Sequence, residues 1–423
     1  MTESVRLPQL VWHGVKDLEL SFPENWKVQV FNMQGFDSPG IAGGQLRAAL
    51  RFPLGMPPLR NLAKNRKQAV IIFDDIQRAT RTADIIPFIL EELAEAGLKD
   101  DQIRFVAATG LHAPMTRLDF SKKLGEDVLA RFPVYNHNAF GNCIDIGKTR
   151  LGTPLLVNAE VMQCDLKIAI GSIVPHAFAG FGGGAKIILP GICHFDTVVH
   201  FHKLASQFKK EHPEIPVGTG IISNNLLREN MEEAAQKAGL DIKIDTLMNS
   251  YGETAAIFAG ALNETSRLAL QLAVNHYDTP EAKDNDIVIA NTFAKVAECE
   301  SGLEIAFQAL GAKGGDVVLV ANSPDGHVAH YLGGVWGTAN SSPLPLKVKF
   351  PAELNRLIIL NEYPDRTILG YFSEPQKVDL VSNWNAVLDL LKLSHPGAAS
   401  VAVYPNAEIQ YCSSQSGSSA LSF

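Results

Sequence analysis

The stretch from Pro175 to His202 (PHAFAGFGGGAKIILPGICHFDTVVHFH) holds most of the residues in this chain whose types suggest chemistry. His176 precedes a run of glycines, Lys186 follows it, and His194, His200 and His202 come after. Gly182, Gly183 and Gly184 in a row, flanked by Gly180 and Gly191, are poorly suited to the interior of a helix or strand. Lacking Cβ atoms, they let the main chain approach a ligand closely, so the run reads as a cradle with the Lys186 amine beside it. That amine is either a counter-ion for a phosphate or a covalent tether, and spacing leaves both open. A P-loop is excluded, because Ile187 stands where that motif needs Ser or Thr to hold magnesium. Residues 180–185 fit a loose dinucleotide fingerprint, but Pro175 and His176 interrupt the approach. The residues about twenty further on are histidine-rich, where the fingerprint needs an acid.

His112 ends the segment Thr109-Gly-Leu-His112, and His176 follows Pro175. Histidine exchanges protons near neutrality, so a pair facing one substrate carbon can take a proton on one face and return it on the other. Two loop histidines that only bond main-chain groups are the plainer alternative. Arg78 presents a fork suited to a carboxylate, and Arg81 offers the same. His200 and His202 are two positions apart, so on a helix they point about 200° from each other and cannot share one ligand. Only one of them is expected to face the cradle. Neither an HxxxH spacing nor a carboxylate partner suggests a zinc trio; one histidine ligand in a site completed by a cofactor fits better. Cys193 reads as a small buried hydrophobe.

Strands must place these residues. The run Ala69-Val70-Ile71-Ile72-Phe73 ends in Asp74-Asp75, as a buried parallel strand reaches its carboxyl end. A helix is predicted over 84–98, with a glycine stop at Gly97, and then a strand over 103–108. Further strands are predicted at 26–31, 155–157 and 166–170, and helices at 195–208 and 226–238. After a polar stretch at 277–285 the alternation restarts. Strands follow at 287–290, 317–321, 357–360 and 401–404, and helices at 304–310, after His327, and at 383–391. This alternation predicts an α/β protein: two α/β domains with mainly parallel sheets and an interdomain cleft. Residues 1–280 are expected to form an N-terminal domain carrying the chemistry, and 281–400 a second domain closing the cleft. Residues 401–423 are expected to form a last strand and a polar, loosely ordered tail. Ligands of such sheets bind beyond the carboxyl ends of strands, where Arg78, His112 and His176 converge on the glycine run.

Composition narrows the class. At 423 residues the chain is long enough for two cores. Its 46% hydrophobic and 19% charged residues describe a globular protein. A net charge of −8 without a basic run argues against nucleic acid and anionic membrane surfaces. No apolar stretch approaches the roughly eighteen residues of a spanning helix, and the N-terminus shows no secretory signal. The five scattered cysteines read as reduced thiols of a cytoplasmic protein.

The segments DDIQR at 74–78, TGLHAP at 109–114 and PHAFAGFGGGAKIILPGI at 175–192, with the histidine at 202, resemble the nickel-pincer lactate racemase family in the same order. The resemblance implies a cofactor derived from nicotinic acid, nickel pyridinium-3,5-bisthiocarboxylic acid mononucleotide, attached covalently through Lys186. It implies that His202 is the fourth ligand of a near-square-planar nickel, that His112 and His176 are the paired acid and base, and that Arg78 orients the substrate carboxylate. Asp75, Ile76, Gln77 and Arg78, with Gly182, Gly183 and Gly184, would border the cofactor. The reaction implied is racemisation or epimerisation of a 2-hydroxyacid. A histidine removes the hydroxyl proton, hydride passes from the α-carbon to the cofactor, and the resulting 2-keto acid is reduced on its other face. The implied partners are a small 2-hydroxyacid or sugar acid and the enzymes that assemble the cofactor.

Family members acting on lactate resemble one another in a Tyr-Gln pair and a nearby lysine early in the second domain. Here Ala297-Glu-Cys-Glu-Ser-Gly302 stands in that place with Lys295 close by, and no proline follows Arg78. Glu298 and Glu300 suit a hydroxylated substrate better than a second carboxylate, so a substrate other than lactate is expected. Asp325, His327 and Trp336 are candidates for the opposite wall. An NAD-dependent hydroxyacid dehydrogenase and a non-catalytic carrier of the cofactor are the alternatives. The presence of both His112 and His176 favours an enzyme, because a carrier needs neither.

Overall fold

The computed structural model describes residues 4–212, 217–327, 330, 339 and 347–415. The chain forms two compact units, Met1–Phe36 with Asn275–Phe423, and Asp37–Val274. Among the described residues no helix is long and apolar enough to cross a membrane. None of the five cysteines is in a disulfide.

The central unit, Asp37–Val274, is built on a six-stranded sheet of order β13-β12-β9-β4-β5-β6. These are β4 (Ala69–Asp74), β5 (Ile103–Ala108), β6 (Val134–Asn136), β9 (Leu166–Ser172), β12 (Ile242–Met248) and β13 (Thr254–Gly260). All neighbours run parallel except the antiparallel β12–β13 edge. The strands AVIIFD and LKIAIGS are near-continuous apolar runs because both faces of a parallel sheet are covered. One covering element is the helix Thr82–Glu95, which puts Ile85, Ile86, Ile89 and Leu93 into the core beside Ile71, Phe73 and Phe105. Strand β12 escapes the apolar pattern because it carries Lys243 and Asp245. Both are fully buried and paired at 2.7 Å, so the charges neutralise each other inside the sheet. Residues 155–157, expected among the parallel strands, lie instead in β8 (Pro154–Asn158), paired antiparallel with β7 (Cys143–Lys148) in a separate two-stranded sheet. Strand β7 is largely exposed, which suits a hairpin with one wet face.

The other unit carries a second six-stranded sheet, β17-β16-β15-β14-β18-β3, parallel throughout. Its strands are β3 (Trp26–Val30), β14 (Ile287–Asn291), β15 (Gly315–Val320), β16 (Leu354–Leu360), β17 (Val378–Val381) and β18 (Ala399–Tyr404). Two divisions expected from the sequence therefore differ. Residues 1–36 join the unit that begins at Asn275, because β3 adds to β18 in register Val28↔Val401. The strand of 401–423 is no appendage either, since β18 lies between β14 and β3. A parallel pairing across more than 370 positions leaves no local trace in the sequence. The helix expected after His327 and the tail beyond Gln415 lie outside the described residues.

Candidate active site

In the central unit, strand order reverses between β4 and β9: the chain steps outward through β5 and β6, then returns to the other side of β4. The crevice at such a reversal, beyond the carboxyl ends, is where open α/β sheets take ligands. The loop after β4 carries Asp75, Ile76, Gln77 and Arg78, and the segment after β9 leads to His176 and the glycine run. His112 follows β5, the next strand along.

The Nδ1 of His112 lies 2.6 Å from Oδ2 of the buried Asp75. A carboxylate can only accept, so Nδ1 carries the proton in the neutral ring and Nε2 keeps its lone pair. The other Asp75 oxygen accepts the Gln77 amide at 3.0 Å, which fixes the carboxylate in turn. Arg78 is partly buried; its amide donates to the Asp75 carbonyl at 3.2 Å and its Nη1 to the Gln77 carbonyl at 2.8 Å. Arg81, the other candidate anchor, donates through Nε to the Gly252 carbonyl at 3.0 Å.

His176 sits in a two-residue ladder, β10 (Pro175–His176) with β11 (Gly180–Phe181). Its Nδ1 accepts the amides of Phe178 and Ala179, each at 3.2 Å, so its neutral ring carries the proton on Nε2. The two neutral rings thus differ in tautomer: His112 carries its proton on Nδ1, and His176 on Nε2.

The glycines have a different explanation at two positions from the one expected. A Cβ on Gly183 (φ +76°) would stand 2.5 Å from Ile173 Cδ1 and 2.7 Å from the Ser172 carbonyl oxygen. On Gly184 (φ +56°) it would stand 2.9 Å from Ser266 Oγ. There, bareness lets the loop press onto its own sheet and helices. Gly182 is roomier, with nothing nearer than the Val174 carbonyl oxygen at 3.7 Å. Asp245 fastens the loop by accepting the Gly184 amide at 3.1 Å, and Arg228 holds the Ala179 and Phe181 carbonyls at 3.2 and 2.8 Å.

Lys186 lies in the short turn Gly184–Ile187, and His202 on the helix Phe195–Glu211. The Nδ1 of His202 donates to the Val198 carbonyl at 2.7 Å, leaving Nε2 as a free electron pair. Burial, with a smaller contribution from the charge of Lys186, holds the ring's pKa down to about 4, so the imidazole is neutral and the two side chains lie within each other's field. His200 has a buried Nδ1 without a hydrogen-bond partner. Among the described residues no group of three or more His, Cys, Asp or Glu could hold a metal ion. A metal here would draw its remaining ligands from elsewhere. Cys193 is fully buried and donates to the Ile188 carbonyl at 3.1 Å, and burial pushes its thiol up, as suits a packing residue.

In the other unit, Lys295 is buried with Nζ 3.4 Å from Ser301 Oγ and 3.9 Å from Glu298 Oε2. His327 is a structural pin: its Nδ1 lies 2.8 Å from Asp365 and its Nε2 2.9 Å from the Ala321 carbonyl oxygen. Asp325 pairs with His13 at 2.7 Å. Trp336 lies outside the described residues.

The profile of the lactate racemase N-terminal domain matches residues 13–213. Lactate racemase of Thermoanaerobacterium thermosaccharolyticum is 31% identical over 290 residues, covering 67% of this chain and 66% of that protein. The chain belongs to the lactate-racemase-like family. A second member, lactate racemase of Lactiplantibacillus plantarum, is 29% identical over 286 residues and 66% of each chain. The aligned part thus spans just under two thirds of these relatives. The family fold extends further: the lactate racemase apoprotein of T. thermosaccharolyticum superposes with a TM-score of 0.72 at 22% identity, over 97% of this chain and 100% of that one. A protein from Thermotoga maritima superposes with a TM-score of 0.64 at 17% identity, over 88% and 98%.

Two residues of this family site escaped the sequence reading in their present role. Asp75 was expected beside a cofactor, whereas here it grips His112. Lys123 was not singled out at all; it is fully buried on the helix Arg117–Leu124 and reaches back to the β4 loop. A lysine flanked by Phe120 and Leu124 in a position that packs like a hydrophobe was the available signal.

Proposed function

We propose that this chain is an isomerase that racemises or epimerises a 2-hydroxyacid with the help of a nickel-pincer nucleotide tethered through Lys186. The observation that carries the reading is the Asp75–His112 contact of 2.6 Å beside the strand-order reversal, in the same unit as a neutral His202 that feels the charge of Lys186. The donor set fits the group: one imidazole with its Nε2 pair free, one primary amine, and no competing protein cluster among the described residues. His202 would supply the protein's nickel ligand, and Lys186 the amine of the covalent link. When bound, the nucleotide supplies a reversible acceptor for the hydride of the substrate α-carbon.

The chain's own residues do the rest. Arg78 binds the substrate carboxylate through its fork and fixes which carbon faces the reaction centre. His112 takes the hydroxyl proton at Nε2, and the Asp75 carboxylate stabilises the imidazolium that results. His176 presents its Nε2–H to the substrate oxygen when that oxygen lies on its side. The loop fastened by Asp245 and Arg228 keeps the Lys186 turn in place.

The test is intact mass and nickel content of the protein made together with the cofactor-assembling enzymes. An adduct and stoichiometric nickel are expected, with interconversion of the two configurations of a 2-hydroxyacid or sugar acid in a chiral assay. Lys186→Ala should lose adduct and turnover together. Full racemisation by that variant without adduct would end this reading.

A further inference from the structure

We propose that Lys123 is a positioning residue for Arg78 and for the Asp75–His112 pair, an inference that rests on the reading given under Proposed function. Its ammonium is fully buried. It lies 2.7 Å from Asp74 Oδ1 and donates to the Arg78 carbonyl at 2.7 Å. Asp74 and Arg78 are the two ends of the segment that carries Asp75, so one amine spans the loop on which two site residues ride. Thr80 adds its hydroxyl to the other Asp74 oxygen.

The lysine also ties two loops into one body. The helix Arg117–Leu124 starts just after His112, capped by Thr116 with Asp119. From that helix Lys123 reaches the β4 loop, while from the β4 loop Asp75 reaches His112. Each loop therefore fixes the other at two points, and a shift of Arg78 cannot occur without strain at His112.

Packing alone does not explain this side chain. Its helix neighbours Phe120 and Leu124 belong to the hydrophobic core, where methionine or leucine would fill the space without desolvating a charge. The place of a buried ammonium is set by its polar contacts, and two of these reach the last residue of β4 and the loop after it. The Asp74 contact neutralises the charge, whereas the Arg78 carbonyl contact gains nothing electrostatically comparable and acts as a stop for the main chain.

The two contacts separate by experiment. Lys123→Met takes the ammonium partner from the half-buried Asp74 carboxylate and lowers the thermal midpoint; Lys123→Met with Asp74→Asn removes both charges and restores most of it. Two readouts follow in the double variant. The first is hydrogen–deuterium exchange of the Gln77 and Arg78 amides in the protein purified without cofactor. The second is KM and kcat for the racemised 2-hydroxyacid in protein loaded with it. The proposal expects exchange at those amides at least tenfold faster than wild type, KM raised about tenfold, and kcat lowered less, despite the recovered midpoint. Wild-type exchange, or a wild-type KM, in the double variant overturns it. If loaded wild-type protein racemises no hydroxyacid, the functional reading fails by itself, and the exchange measurement still decides the role of Lys123. If Lys123→Met does not fold, the double variant carries the test alone.

Discussion

Both six-stranded sheets reverse their strand order once, between β4 and β9 in the central unit and between β14 and β18 in the other. General rules for α/β sheets point to a ligand site at each. The two reversals are filled in opposite ways. At β4/β9 the loops carry Asp75, His112, Arg78 and His176, and Asp75 spends its carboxylate on the His112 ring. At β14/β18 the chain has closed the crevice on itself. Glu408, buried after β18, accepts the amides of Phe293 at 2.8 Å, Ala294 at 2.5 Å and Lys295 at 3.3 Å. Asn291 at the end of β14 donates to the Pro8 and Pro405 carbonyls at 3.0 and 2.6 Å. Those three amides form a nest that would suit an anion, and the protein's own carboxylate fills it. Topology nominates a place, and the side chains settle whether anything is free to react there.

The sharpest break between the two reversals is expected in turnover. His112→Ala should lose roughly 10³-fold in kcat while keeping the covalent adduct, and Asp75→Asn roughly 10²-fold, because the carboxylate only orients the ring and stabilises its charge. Initial rates paired with intact mass check this. An Asp75→Asn enzyme at wild-type speed would remove the distinction between an active and a plugged crevice.

Glu408→Ala should act on stability instead. It strands three buried amides and is expected to cost about 2–4 kcal/mol in urea unfolding, with adduct formation at Lys186 intact. Loss of the adduct without loss of stability would mean the plugged reversal also serves the chemistry.

The smallest effect concerns His137, a histidine outside the chemistry proposed for the β4/β9 reversal. His137, buried after β6, donates to the Cys193 carbonyl through Nε2 at 2.9 Å and accepts Asn158 at Nδ1 at 3.1 Å. Burial holds its pKa at about 4 against the ordinary 6.5. The folded state thus keeps this ring neutral while the unfolded chain protonates it. The stabilisation is complete above pH 6.5 and falls as the pH drops toward 4. Wild type should lose about 2–3 kcal/mol more than His137→Gln between pH 7.5 and about 4.5, measured by urea midpoints. Parallel curves for the two proteins would show that the ring is already charged in the fold.

Much of this was legible in the residues themselves. The runs at 69–73 and 103–108 became β4 and β5 because short, mostly apolar segments of this kind suit a strand covered on both faces. The segment at 195–208 became the helix Phe195–Glu211, which carries both His200 and His202. Family membership could be read from the 74–78, 109–114 and 175–192 motifs alone, since those residues lie close together in sequence. What sequence could not decide were the facts that depend on partners far along the chain. Strand β12 hid behind Lys243 and Asp245 until their mutual neutralisation was visible, and β3 found its sheet only across the whole length of the protein. Gly183 and Gly184, read as room for a ligand, also stand where a Cβ would crowd Ile173 and Ser266. The tautomers of His112 and His176 belong to the same class: a ring's protonation pattern is fixed by whichever atom faces each nitrogen, and only the folded chain brings those atoms together.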